Sequence, residues 1–152
     1  VVADVNEAAV KAAVEKFGAE AASPDDAIAA DVDVFAPCAL GGSINQGSVD
    51  RLKASVVAGA ANNQLATPEM DAALAGRGVL YAPDYVINAA GVISVGLEIL
   101  DQWTEAGLTL RIDDIGNTLT EIFNRAEQSG KPTGAIADAL ALEVIARGRQ
   151  AA

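Results

Sequence analysis

Two patterns of apolar residues alternate along the first part of the chain. Short, largely apolar blocks at 1–5, 32–36, 55–58 and 79–81 read as strands covered on both faces, and 19–21 reads as a shorter one. Between the blocks the spacing changes. Ala8, Val10, Ala13, Val14 and Phe17 fall on one face of a helix over 7–17, with Asn6 as its N-cap and Gly18 as its stop. Ser23 followed by Pro24 predicts another N-cap and first helical residue. One or two helical turns follow over 48–52, and a further helix runs from Thr67-Pro68-Glu69 to about Ala75 before Gly76-Arg77-Gly78. Short buried strands alternating with helices predict an α/β fold with a parallel sheet. Beyond Ala90 the pattern is helical over 91–104, 113–129 and 133–147, with Gly130-Lys131-Pro132 separating the last two. The reading is one domain with a helical tail.

Composition narrows the chemistry. The 152 residues are 51% hydrophobic and 20% charged, which suits one globular domain or a domain of something larger. Aromatics are only 4%, so the core is built from Ala, Val, Ile and Leu. Ten Lys and Arg against 21 Asp and Glu give a net charge of −11, which argues against a nucleic-acid partner. With no His, nucleophile systems that use a His base and His-ligated metal sites are excluded. The single Cys can form neither an intrachain disulfide nor a thiolate cluster, and it fits a reducing cytoplasm. No metal site is expected. No apolar run approaches the ~18–20 residues of a membrane span, and no secretory signal pattern is present. The chain opens on Val-Val-Ala-Asp-Val-Asn, already inside a predicted strand, and so reads as an internal piece of a longer protein.

In open α/β sheets, ligands bind at the carboxyl ends of the strands. Asp4 ends the first strand, where an acid suits ribose hydroxyls; the plainer reading is a turn or cap residue. No Lys or Arg follows until Lys11, which favours NAD over its 2′-phosphorylated form. The G-x-G-x-x-G phosphate loop is absent from the chain. Residues 37–42 (PCALGG) form a glycine-rich loop, either open to close ligand approach or an ordinary turn. Cys38 has no His base and no neighbouring cation, so it reads as a packed, small apolar side chain. Asn62 and Asn63 offer amides suited to a carboxamide, or a turn. Asn88 is a lone amide among small and apolar residues, either a structural hub or a ligand contact. On one continuous helix it would share a face with Val92 and Val95, which are either core or pocket lining.

The segments 35–42 (FAPCALGG), 57–65 (VAGAANNQL) and 81–92 (YAPDYVINAAGV) resemble the nucleotide-binding domain of the Glu/Leu/Phe/Val amino acid dehydrogenases, nearest to the leucine-acting members. The likeness runs over nearly the whole chain and is weakest in the tail. It implies a Rossmann-like doubly wound parallel sheet that lacks its first strand–helix unit. Residues 1–90 would be a partial dinucleotide-binding domain, and 91–152 a helical segment packing on the same domain and its cleft. It also implies NAD-dependent, reversible oxidative deamination of a 2-amino acid to a 2-oxo acid and ammonia. By resemblance, Asp4 binds the adenosine ribose, and Cys38, Ala39, Leu40 and Gly41 lie beside the cofactor ribose and phosphates. Asn62 lies near the nicotinamide, Asn88 between nicotinamide and substrate, and Val92 and Val95 along the substrate side-chain pocket. A valine at 95 would make a distal carboxylate costly to bury. Leucine or another branched-chain amino acid is therefore favoured over glutamate, with phenylalanine open.

The family's catalytic Lys and Asp match no residue here, so the piece alone is expected to be inactive. Ala90 stands where the family pattern has a second glycine. The resemblance further implies a homo-oligomer for the full-length protein. A non-catalytic nucleotide-binding module is the competing reading. Apolar side chains of the tail, including Ile115, Leu119, Ile122 and Phe123, are expected to be partly unprotected.

Overall fold

The computed structural model describes residues 1–150, so the last two residues of the 91–152 segment lie outside the described residues. Local capping sets most of the early elements. Helix α1 spans Glu7–Phe17; the Asn6 side chain accepts the Ala8 and Ala9 N–H groups, and Gly18 ends the helix with φ 65°. Helix α2, Pro24–Ile28, starts on Ser23, whose hydroxyl oxygen accepts the Asp26 N–H. Then follow β1 (Val34–Phe35), α3 (Gln46–Arg51, with an Asn45/Ser48 capping box), β2 (Val56–Val57), α4 (Glu69–Gly76) and β3 (Leu80–Tyr81).

The three strands form one parallel sheet in the order β1-β2-β3, with Val34 opposite Val56 and Val56 opposite Leu80. The α/β class and the parallel sheet match the expectation, but each strand contributes only two residues. The predicted first strand stands apart. Val2 makes an isolated parallel bridge to Ala21, with Val2 N–H donating to Glu20 O at 2.8 Å and Ala22 N–H to Val2 O at 3.0 Å. A cavity of about 510 Å³, with Val1, Val2, Val34 and Phe35 among its walls, separates that bridge from β1. With no strand between them, Val34 is 51% exposed and Val5 93% exposed, so 1–5 is not the covered strand its apolarity suggested.

The main core gathers Ile44, Val49, Leu52, Val57, Leu74 and Tyr81 between the sheet and helices α3 and α4. The tail comprises α5 (Asp84–Ile87), α6 (Ala90–Ile99), α7 (Glu105–Asp113), α8 (Ile115–Ser129) and α9 (Thr133–Gln150). The expected helix over 91–104 stops at Ile99. Asp101 takes φ 55°, and Thr104 accepts the Gly107 N–H to start α7, most of which the periodicity had left unassigned. A second core joins Ile122, Ala126, Ile136 and Ala137 to Val86, Phe123 and Leu140. Ile122 is therefore fully buried rather than unprotected. Ile115, Leu119 and Phe123 are only partly buried, as expected, and more exposed apolar side chains lie on α6, α7 and α9, among them Val92, Val95, Ile99, Leu110 and Leu142.

Polar contacts dock α9 onto β3, α4 and α5. Thr133 Oγ1 donates to the Tyr81 carbonyl at 2.7 Å. Asp71 Oδ2 on α4 accepts the Ala135 N–H at 3.2 Å. Tyr85 Oη donates to Asp138 Oδ1 at 2.7 Å.

Candidate functional site

The carboxyl ends of the strands open into loops that meet backbone to backbone. Pro37 O, just after β1, accepts the Ala61 N–H at 2.9 Å, and Gly42 N–H donates to Asn63 O at 2.7 Å. A Cβ on Gly59 would sit 2.1 Å from Pro37 O, and one on Gly41 would sit 2.8 Å from the carbonyl oxygens of both Asn62 and Asn63. These glycines are needed because one loop lies on another. At Gly41 the bare backbone faces residues 62–63, not an opening for ligand approach. Below the second loop, fully buried Gln64 donates from Nε2 to Gly59 O at 2.7 Å and Ala61 O at 3.0 Å. Sequence reasoning passed over Gln64, because a Gln beside two Asn residues reads as solvated loop.

Asn88 lies at the break between α5 and α6, with φ −102° and ψ 17°. Its Nδ2 donates to Asn62 Oδ1 at 2.6 Å, to Ala60 O at 3.3 Å and, at the limit of bonding, to Ala61 O at 3.5 Å. Both readings of Asn88 thus have a basis in one geometry: it ties the loops after β2 and β3 together, and it faces a cavity. That cavity, about 570 Å³, is lined by Asn62, Asn63, Asp84, Asn88 and Val92 among others. Because the helix breaks at Asn88, the three-residue face expected from a continuous helix does not form. Val92 joins Asn88 at the cavity, whereas Val95 is not among its lining residues. Both valines are exposed, at 70% and 52%, so neither is a core residue here.

Asp4, Cys38, Ala39 and Leu40 line the separate cavity between Val2 and β1. Asp4 Oδ1 accepts the Asn6 N–H at 2.8 Å, the plain turn role, and leaves its second oxygen to other partners. Cys38 is exposed, not packed, because it follows buried Pro37 at the rim of this gap. Among the described residues no Lys or Arg lines either cavity, but Asp4 also lines a third cavity, of about 560 Å³, together with Lys11. Lys11, the first cation after Asp4, lies 3.8 Å from Glu15. Among the described residues, no group of three or more Asp, Glu or Cys could hold a metal ion, and no helix is long and apolar enough to cross a membrane.

Asp84 was also missed from the sequence. Its carboxylate accepts the Tyr81 hydroxyl at 3.0 Å and the backbone N–H of Asn63, and the Tyr81 oxygen accepts the Asp84 N–H at 3.2 Å. Burial pushes the Tyr81 phenol well above its ordinary value, opposed by the Asp84 backbone N–H and reinforced by the Asp84 carboxylate. Burial also raises Tyr85, reinforced by its bond to Asp138.

The family model for Glutamate/Leucine/Phenylalanine/Valine dehydrogenase matches residues 2–151. The chain belongs to this family. It is 43% identical to leucine dehydrogenase of Bacillus subtilis over 150 residues, covering 99% of the chain and 41% of that protein. It is also 43% identical to valine dehydrogenase of Streptomyces coelicolor, covering 98% of the chain and 42% of that protein. The crystal structure of L-tryptophan dehydrogenase from Nostoc punctiforme superimposes with a TM-score of 0.92 at 39% identity, covering 98% of this chain and 45% of that one. The chain thus spans about two fifths of the length of the curated relatives.

Proposed function

We propose that this chain is the cofactor-binding portion of an NAD-dependent amino acid dehydrogenase. The observation that carries the reading is the Asn62–Asn88 pair. Their mutual bond uses Asn62 Oδ1 and Asn88 Nδ2. It leaves an amide donor on Asn62 and an amide oxygen on Asn88 at one cavity, a set complementary to the C=O and NH₂ of a nicotinamide carboxamide. Asp4, with an oxygen to spare, is suited to a ribose diol at the other cavity. Its negative charge favours NAD over a 2′-phosphorylated cofactor. The cavity between Val2 and β1 fits one further parallel strand from elsewhere in the full-length protein, which would join the Val2 bridge to the sheet.

When bound, the nicotinamide supplies a hydride acceptor. Overall, the amino acid, NAD and water would give the 2-oxo acid, ammonium, NADH and one proton. This chain's role is to orient and bind. The groups that move protons belong to the remainder of the protein. The favoured substrate is leucine or another branched-chain amino acid, because Val92 and Val95 offer no partner to a distal carboxylate. The similarity to leucine, valine and tryptophan dehydrogenases supports an apolar side chain without choosing among them. The active form is proposed to be a cytoplasmic homo-oligomer.

The test is NADH formation by the full-length protein with leucine, valine, isoleucine, phenylalanine, tryptophan and glutamate. Turnover of the aliphatic substrates with NAD is expected. No turnover with any of the six removes the reading, and a preference for glutamate removes the argument from Val95.

A further inference from the structure

We infer that Asp84 is a positioning residue for the nicotinamide end of the site, acting through the backbone of Asn63. The inference rests on the cofactor reading above and extends it to a residue at the edge of the same cavity whose carboxylate holds the loop backbone. Asn63 has φ 52°, in the left-handed region that non-glycine residues seldom occupy, and something must hold it there. Asp84 Oδ2 accepts its N–H. Gly42 N–H donates to its carbonyl at 2.7 Å. The peptide on the carbonyl side of Asn62 is thereby fixed, and with it the direction in which the Asn62 side chain leaves the loop.

Asp84 is itself held at the end of β3. Tyr81 Oη donates to Asp84 Oδ1 at 3.0 Å and accepts the Asp84 N–H at 3.2 Å, closing a small ring at the start of α5. Tyr81 is almost fully buried in the main core, so the ring is anchored to the rigid sheet. Asp84 and Asn88 therefore reach across from one segment to adjacent residues of the other loop, Asp84 to Asn63 and Asn88 to Asn62. The first contact sets the backbone and the second uses the amide so placed. An asparagine at 84 retains one acceptor but turns an NH₂ toward a donor, either the Asn63 N–H or the Tyr81 hydroxyl. One contact then becomes donor against donor.

The experiment uses the full-length protein and two probes, NADH and ADP-ribose, which lacks the nicotinamide. Both are titrated by calorimetry into the parent, Asp84→Asn and Tyr81→Phe. For Asp84→Asn, NADH affinity is expected to fall about tenfold, the size of one charge-assisted hydrogen bond lost, with ADP-ribose affinity unchanged. Tyr81→Phe, which leaves Asp84 Oδ1 without its donor, is expected to lower the NADH to ADP-ribose affinity ratio about threefold. Equal weakening of both probes would mean a merely structural role, and an unchanged ratio in both variants would also overturn the inference. If Asp84→Asn does not fold, the ratio in Tyr81→Phe decides. A parent that binds neither probe refutes the cofactor reading itself, and the role of Asp84 falls with it.

Discussion

Replacing Asn88 by aspartate changes one NH₂ into an oxygen and tests the amide pair directly. The NH₂ faces Asn62 Oδ1 at 2.6 Å, Ala60 O at 3.3 Å and Ala61 O at 3.5 Å. The new carboxylate confronts the same three acceptors with no proton to share. Loss of the short bond costs about 1 kcal/mol net, and leaving half-buried oxygens without a donor adds about 1–3 kcal/mol. Together these predict a loss of about 2–4 kcal/mol in NADH binding, roughly 30- to 700-fold at 1.4 kcal/mol per decade. Asn88→Ala removes the donor but admits water, so it is expected to lose only about fivefold, near 1 kcal/mol. The two variants also differ in pH response. Protonation of the new carboxyl restores one donor, so Asn88→Asp is expected to regain affinity as pH falls toward about 5, whereas Asn88→Ala is not. The assay is NADH titration of the full-length proteins across that range, with melting temperatures recorded alongside. Equal affinities for the two variants at every pH would refute the donor argument. A large, equal fall in melting temperature would make Asn88 purely a structural hub.

Gly59→Ala places a methyl 2.1 Å from Pro37 O, so it should lower stability by about 1–3 kcal/mol in urea unfolding; an unchanged midpoint would mean that the loops do not cross as described. Burial raises the Asp71 carboxyl, with Asp138 adding to the shift and the Ala135 and Gly134 N–H groups opposing it. A carboxyl raised on folding stabilises the fold at low pH and loses that contribution as pH rises through its folded value. Asp71→Asn is therefore expected to melt above the parent at pH 7, with the gap closing below about pH 4; a parent that melts higher at pH 7 contradicts this. Val95→Ser in the full-length protein should move the kcat/KM ratio of leucine to glutamate toward glutamate by about tenfold. An unchanged ratio would place Val95 outside the substrate pocket.

The elements that sequence periodicity located best are those whose ends are set by nearby residues. Asn6, Gly18 and Ser23 act as the caps their positions indicated, and β1, β2 and β3 lie within the predicted apolar blocks. The failures have a common cause in contacts between distant segments. Residues 1–5 read as a covered strand, but β-pairing on both sides requires neighbours that the local pattern cannot specify. The helix break at Asn88 follows from bonds to residues 60–62, which no helical spacing foretells. At the site, Asn62 and Asn88 were legible because amides stand out among small apolar residues. Gln64 and Asp84 were not, because their roles depend on carbonyl and N–H groups of other loops, and backbone groups carry no residue-specific signal.

The contact of the loops through backbone, with glycines at the crossings, also limits how the site can be remodelled. Pro37 lies against Gly59, and Gly41 against residues 62–63, so an insertion or exchange in either loop displaces the other. A graft into either loop must therefore transplant 37–42 together with 59–64. Changing side chains alone, as at Asp4 or Leu40, leaves that interlocked frame untouched.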